Sequence, residues 1–276
     1  CYITLLVLFF GNEVIQAKDR RNYKVIGFLT LLGLFNLSFH IESSFLLPIP
    51  PRFSGRGAIV VILLLIGTIS GRIIPNFTRN WLTKHQKTAV SPPPAFGRLD
   101  AVTMIATAFL AIVWAINPFH QLTILGSILI TTLHLIRLAR WRGLSTVQDP
   151  MMIVLHVGYA WIPIGFLLCA WAAFSDALMF SAALHGLSIG AIGLMIVAVG
   201  SRAALGHTGR ELKAGKAMSL VYILIVASTI FRILAGLAEF YIEFLTASVV
   251  SWCLSMVIFL ACYYPVLTRP RVDQEG

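Results

Sequence analysis

Charge is scarce in this chain. Of its 276 residues 12% are charged and only 11 are acidic, whereas soluble domains carry about 25% charged residues. So few polar side chains cannot cover a water-facing surface of this size, which excludes an ordinary soluble domain. Cysteine is also sparse, with only Cys1, Cys169, Cys253 and Cys262. None forms a C-x-x-C pair and three lie in apolar runs, so the pattern suggests neither a zinc site nor a disulfide framework. The thiols read as small buried hydrophobes. No groove of interleaved basic and aromatic residues is visible. The net charge of +10 therefore reads as basic loops beside a membrane, not as a nucleic-acid surface. No signal-peptide pattern is visible, and Cys1 falls inside an apolar run. The expectation is a fragment lacking its N-terminal part.

What the chain has instead is hydrocarbon. Hydrophobic residues make up 58% and the mean hydropathy is +0.86. A membrane span needs about 20 apolar residues. A partial span occupies 1–10, and full ones fall near 23–40, 57–79, 99–117, 119–138, 151–174, 183–206, 218–237 and 245–264. The fold expected is all-α: one polytopic transmembrane helical bundle over residues 1–276, with about nine spans. No internal repeat supports the inverted halves of many transporters.

Loop charge orients the bundle. Basic residues cluster at Lys18–Lys24, Arg79–Arg98, Arg137–Arg142, Arg210–Lys216 and Arg269–Arg271. The intervening connections hold Asn117, Pro118, Asp176, Glu239 and Glu243. Only the 41–56 loop dissents, with Arg52 and Arg56 against Glu42. By the positive-inside rule the chain enters from outside and ends with its C-terminus in the cytoplasm. The run Ser91-Pro92-Pro93-Pro94 reads as a stiff linker, with partner docking as the alternative.

Ionisable groups at membrane depth are costly and mark candidate functional sites. Three arginines qualify: Arg72, Arg202 and Arg232. Snorkelling to headgroups is the plain reading for the first two. Arg232 has Glu239 or Glu243 as a partner, or an anionic ligand. The histidines sort by depth. His40, His120 and His185 fall at outer span ends, and His134, His156 and His207 near inner ends. Imidazoles on facing helices ligate haem iron and copper well; the plain reading of each is a hydrogen-bonded anchor. His185 and His207 share one span and lie roughly 33 Å apart, too far for one metal.

Two segments carry more. In Gly71-Arg72-Ile73-Ile74-Pro75-Asn76-Phe77-Thr78-Arg79-Asn80, Pro75 is expected to kink or end the helix and free carbonyls toward a polar pocket. In Gly206-His207-Thr208-Gly209-Arg210, a glycine supplies a left-handed cap. That turn lacks phosphate-loop spacing. Gly186 and Gly190, with Gly193 near the same face, admit a closely packed helix or a flat cofactor.

These segments resemble the signatures of the NnrS family, bacterial integral membrane proteins associated with the nitric oxide response and denitrification. The resemblance rests on His185 to Met195 continuing through Ser201-Arg202 and Leu205 to Arg210, on Gly71 to Asn80, and on His156-Val157-Gly158-Tyr159-Ala160-Trp161 with Gly165-Phe166. Leu34 to His40 and Arg232 sit at expected family positions. The resemblance spans essentially the whole chain. It implies a twelve-span protein of the bacterial cytoplasmic membrane that binds haem and copper. By position it makes His40, His156, His185 and His207 metal-ligand candidates, with His134 behind them, and Arg72, Arg202 and Arg232 candidates for propionate pairing. Ala198-Val199-Gly200 departs from the pattern, because family members tend to carry Met there; if that Met holds copper, this chain lacks it.

Three functions follow. The first is a haem- and copper-containing protein that relieves nitric oxide stress, with nitric oxide as its small-molecule ligand. The second is a secondary transporter of a metal, haem or small organic anion, which predicts histidines lining an open cavity. The third is a scaffold for a respiratory complex, with no shared pocket. No nucleophile–base constellation is present, and no catalytic residue is assigned.

Overall fold

The computed structural model describes residues 2–18, 22–44, 52–174, 177–237 and 239–272. Asp176, read as a loop acid, and parts of the 41–56 loop lie outside the described residues. Apolar runs with no backbone partner in lipid must satisfy their hydrogen bonds internally, so they form helices. The order is α1 (Tyr2–Gln16), α2 (Tyr23–Ser43), α3 (Phe53–Lys84), α4 (Arg98–Ile116), α5 (Gln121–Arg140), α6 (Pro150–Ala172), α7 (Ala177–His185), α8 (Leu194–His207), α9 (Lys216–Ala235) and α10 (Tyr241–Thr268). A short 3₁₀ turn, Gly143–Thr146, precedes α6, and a π-helical segment, Gly186–Gly193, joins α7 to α8. No strand occurs among the described residues.

Eight helical stretches are long and apolar enough to cross a membrane, and α1 is a shorter apolar helix. The chain is thus a multi-pass all-α membrane protein. Helix α6 is central: it touches α3, α5, α7, α8, α9 and the π segment. Its Leu155, Tyr159, Ile162 and Phe166 are almost fully buried. Helix α2 packs on α1 and α3, and α10 packs chiefly on α9. Large apolar side chains such as Ile105, Phe109 and Ile112 on α4 face outward, as lipid contact requires.

The alternative that Pro75 ends its helix is overturned. Helix α3 runs through Pro75 and ends only at Lys84. Pro75 is buried in the bundle, where neighbouring helices sustain a proline-containing span. The seventh span is not uniformly α-helical; its glycine-rich stretch takes the wider π turn. The glycine face meets indoles, not open space. A Cβ on Gly190 would lie 2.7 Å from Trp161, and one on Gly193 would lie 3.1 Å from Trp252. The left-handed cap of α8 falls at Gly209, φ 70°, and Arg210 donates to the carbonyl oxygens of Thr208 and Pro270. The proline run folds back on the bundle, with Pro93 O accepting from Arg79 Nη2 at 2.9 Å.

Candidate functional site

Ser181 on α7 organises the first polar site. One turn later, His185 Nδ1 lies 2.7 Å from the Ser181 carbonyl oxygen. A carbonyl only accepts, so Nδ1 carries the proton and Nε2 keeps its lone pair. The contact orients the ring and leaves Nε2 open to a ligand, as the same i−4 contact does at His85. The Ser181 hydroxyl accepts from Arg232 Nη2 at 2.9 Å. Arg232 is 8% exposed, and its Nη1 is buried without a hydrogen-bond partner. Among the described residues it forms no ion pair with Glu239 or Glu243; it reaches across to α7 instead.

His185 and Arg232 line one cleft of about 350 Å³ together with Ile189, Ser228, Ser248 and Trp252. Its floor joins α9 to α10, because Ser228 Oγ donates to Ser248 O at 2.9 Å and Ser248 Oγ to Ser228 O at 2.8 Å. Its wall includes the π segment, a distortion that frequently accompanies functional sites.

A second polar site lies in the bundle core and was not legible as such. Arg137, grouped above with loop cations, is completely buried. Its Nε donates to Asp100 Oδ1 at 2.7 Å, and its Nη1 donates to Gly67 O and to the Tyr159 hydroxyl oxygen at 3.0 and 2.8 Å. Trp141 and Tyr159 stack near the guanidinium, with ring centroids 5.2 and 5.6 Å away. The Tyr159 oxygen is 2.6 Å from His134 Nδ1, and His134 Nε2 is 3.0 Å from Thr107 Oγ1.

The proton assignment follows. Thr107 Oγ1 donates to Thr103 O at 2.7 Å, so it accepts from His134 Nε2–H. Nδ1 must then accept from Tyr159 O–H, whose oxygen accepts from Arg137. The chain of bonds from Arg137 Nη1 to Thr103 O is consistent donor by donor, while Arg137 Nη2 is buried without a hydrogen-bond partner. Both ring nitrogens of His134 are therefore engaged.

The remaining candidates separate. His156 is buried, with Nδ1 3.1 Å from Met152 O and Nε2 3.3 Å from Thr78 Oγ1. His40 and His207 are exposed, on α2 and at the end of α8. Arg72 is half-buried on α3 and forms no ion pair among the described residues. Arg202 sits near the basic end of α8, its guanidinium 4.2 Å from the Phe77 ring centroid. Of the eight candidates only His185 and Arg232 share the α9–α10 cleft. Among the described residues no three His, Cys, Asp or Glu side chains form a metal-binding group.

Searches of curated proteins and of solved structures return no match. A family model described as "NnrS protein" matches residues 1–271. That match covers all ten helices and every candidate residue above, and the chain therefore belongs to the NnrS family.

Proposed function

We propose that this chain is a haem-binding protein of the bacterial cytoplasmic membrane that acts in the nitric oxide response and denitrification, with its C-terminus in the cytoplasm. The observation that carries the reading is the His185–Arg232 pair. One imidazole is oriented by a carbonyl with Nε2 left as a ligand, and one buried cation beside it has an unpaired N–H. The first suits an iron ligand and the second suits a haem propionate. When bound, the haem would supply an iron centre at which nitric oxide coordinates. The chain's own part is to orient the imidazole through Ser181 and hold the propionate on Arg232. Copper is implied by the family resemblance alone, and no residues are assigned to it. Basic loops at the ends of α3, α5, α8 and α10 support the orientation.

The test is an optical spectrum of the detergent-purified full-length protein, reduced and then exposed to nitric oxide. A Soret band that shifts on exposure is expected. His185→Ala should abolish the band, Arg232→Gln should lower haem content, and His207→Ala should leave it intact. No Soret band from haem-sufficient cells would overturn the reading and restore the transporter, for which the open clefts speak.

A further inference from the structure

The basic end of the bundle carries a cavity that the haem reading does not use. It measures about 560 Å³, within the ordinary range for small-molecule sites. Its walls come from the last turns of α3 and α8, the start of α6, and the loop between α8 and α9. Lys84, Arg202 and Lys213 line it against Asp149 and Glu211. Asp149 is already committed, because its Oδ1 accepts from Met151 N–H at 2.9 Å as the N-cap of α6.

Arg202 is the informative residue. It is half-buried and lies over the Phe77 ring. Among the described residues the one hydrogen-bond acceptor it contacts is the Met152 sulfur, at 3.7 Å. Among the described residues no carboxylate lies within ion-pair distance of it. A guanidinium has five N–H donors in a planar fork suited to carboxylate or phosphate oxygens. A thioether is a weak acceptor and leaves that fork largely unused. Trp81, on the same wall, carries a buried indole N–H that also lacks an acceptor. Lys84 and Lys213 stand at the exposed rim, where they attract an anion without closing the cavity.

The arrangement excludes the neighbouring glycine turn as the anion site. Arg210 there is tied to two carbonyl oxygens, whereas Arg202 is not. We infer that the cavity bounded by Arg202, Lys84 and Lys213 binds a phosphate-bearing anion. The guanidinium fork takes the phosphate, and the two lysines hold it at the rim. A soluble phosphate ester and a phospholipid headgroup present the same chemistry here, since the cavity opens at the end of the membrane-spanning helices.

The experiment uses the full chain in detergent and reads saturable binding by calorimetry and thermal stabilisation, so it does not depend on haem. One arm titrates glycerol 3-phosphate, and the other a short-chain phosphatidylglycerol. Saturable binding in either arm is expected, and the arm that saturates names the source. Arg202→Gln should weaken it about tenfold or more, the scale of a charge-assisted bidentate contact. Lys213→Gln, an exposed rim change that leaves folding unaltered, should weaken it about threefold. Lys87→Gln, at the same end but outside the cavity, should have no effect. Absence of saturation in both arms, or equal losses for Lys87→Gln and Lys213→Gln, would overturn the site.

Discussion

Arg137 shows what a single buried charge demands. Among the described residues its one carboxylate partner within 3 Å is Asp100; Gly67 O, Tyr159 and aromatic faces supply its other contacts, and Nη2 stays without a hydrogen-bond partner. Removing one member of a buried ion pair leaves the other uncompensated, at a cost of about 3–5 kcal/mol. Asp100→Ala should therefore lower the thermal unfolding midpoint far more than Glu211→Ala, an exposed carboxylate at the same end of the bundle. Equal midpoints would show that the Arg137 charge finds water. A subtler change is Tyr159→Phe. It removes the hydroxyl that Arg137 and His134 share, leaving a donor and an acceptor unmatched at about 1–3 kcal/mol. Differential scanning fluorimetry in one detergent reads both variants.

At the scale of elements, α5 explains why this cluster escaped a reading by loops and hydropathy. Its buried residues include Thr123, Ser127, Thr131, His134 and Arg137, a polar stripe at helical spacing. Scoring the helix for its apolar residues hides that stripe, because in a bilayer the polar face turns inward. The eight spans, by contrast, were legible, since each is a predominantly apolar run of sufficient length. His185 and Arg232 were also legible as candidates. Their convergence was not, because it depends on how α7 packs against α9. The π turn likewise left no mark in composition. Glycines record close approach more directly. A Cβ on Gly71 would lie 1.8 Å from Arg137 Nη2, and the ion pair keeps that side chain from moving away. Gly71→Ala should destabilise the α3–α5 contact by roughly 1–3 kcal/mol, as overpacking does. The same change at Gly200, with open space around its Cβ, should be neutral or stabilising, and unfolding midpoints of the two variants decide it.

For the whole molecule, the alternation of basic and acidic connections makes a directional statement. Lys87 follows the basic end of α3, and Glu243 begins α10 at the opposite end. Cysteines placed at these two positions, in a background with the native cysteines replaced by serine, should differ in reach. A membrane-impermeant maleimide applied to intact cells should label Glu243→Cys and spare Lys87→Cys until the membrane is opened. The reverse pattern would invert the bundle and place the His185 cleft on the cytoplasmic side. With the orientation proposed, that cleft lies toward the outer face and the Arg202 cavity toward the cytoplasm. The two sites then meet different solutions.

The order of synthesis gives the Asp100–Arg137 pair one more meaning. Helix α5 carries Arg137 in its last turn, and burying that cation inside the bundle costs several kcal/mol unless it is paired. Its counter-charge belongs to α4, which the ribosome makes first, and only the 117–120 turn separates the two helices. The pair can thus close within one α4–α5 hairpin, before the rest of the bundle packs around it. Tyr159 and Trp141, made later, then close over a charge that has already been lodged.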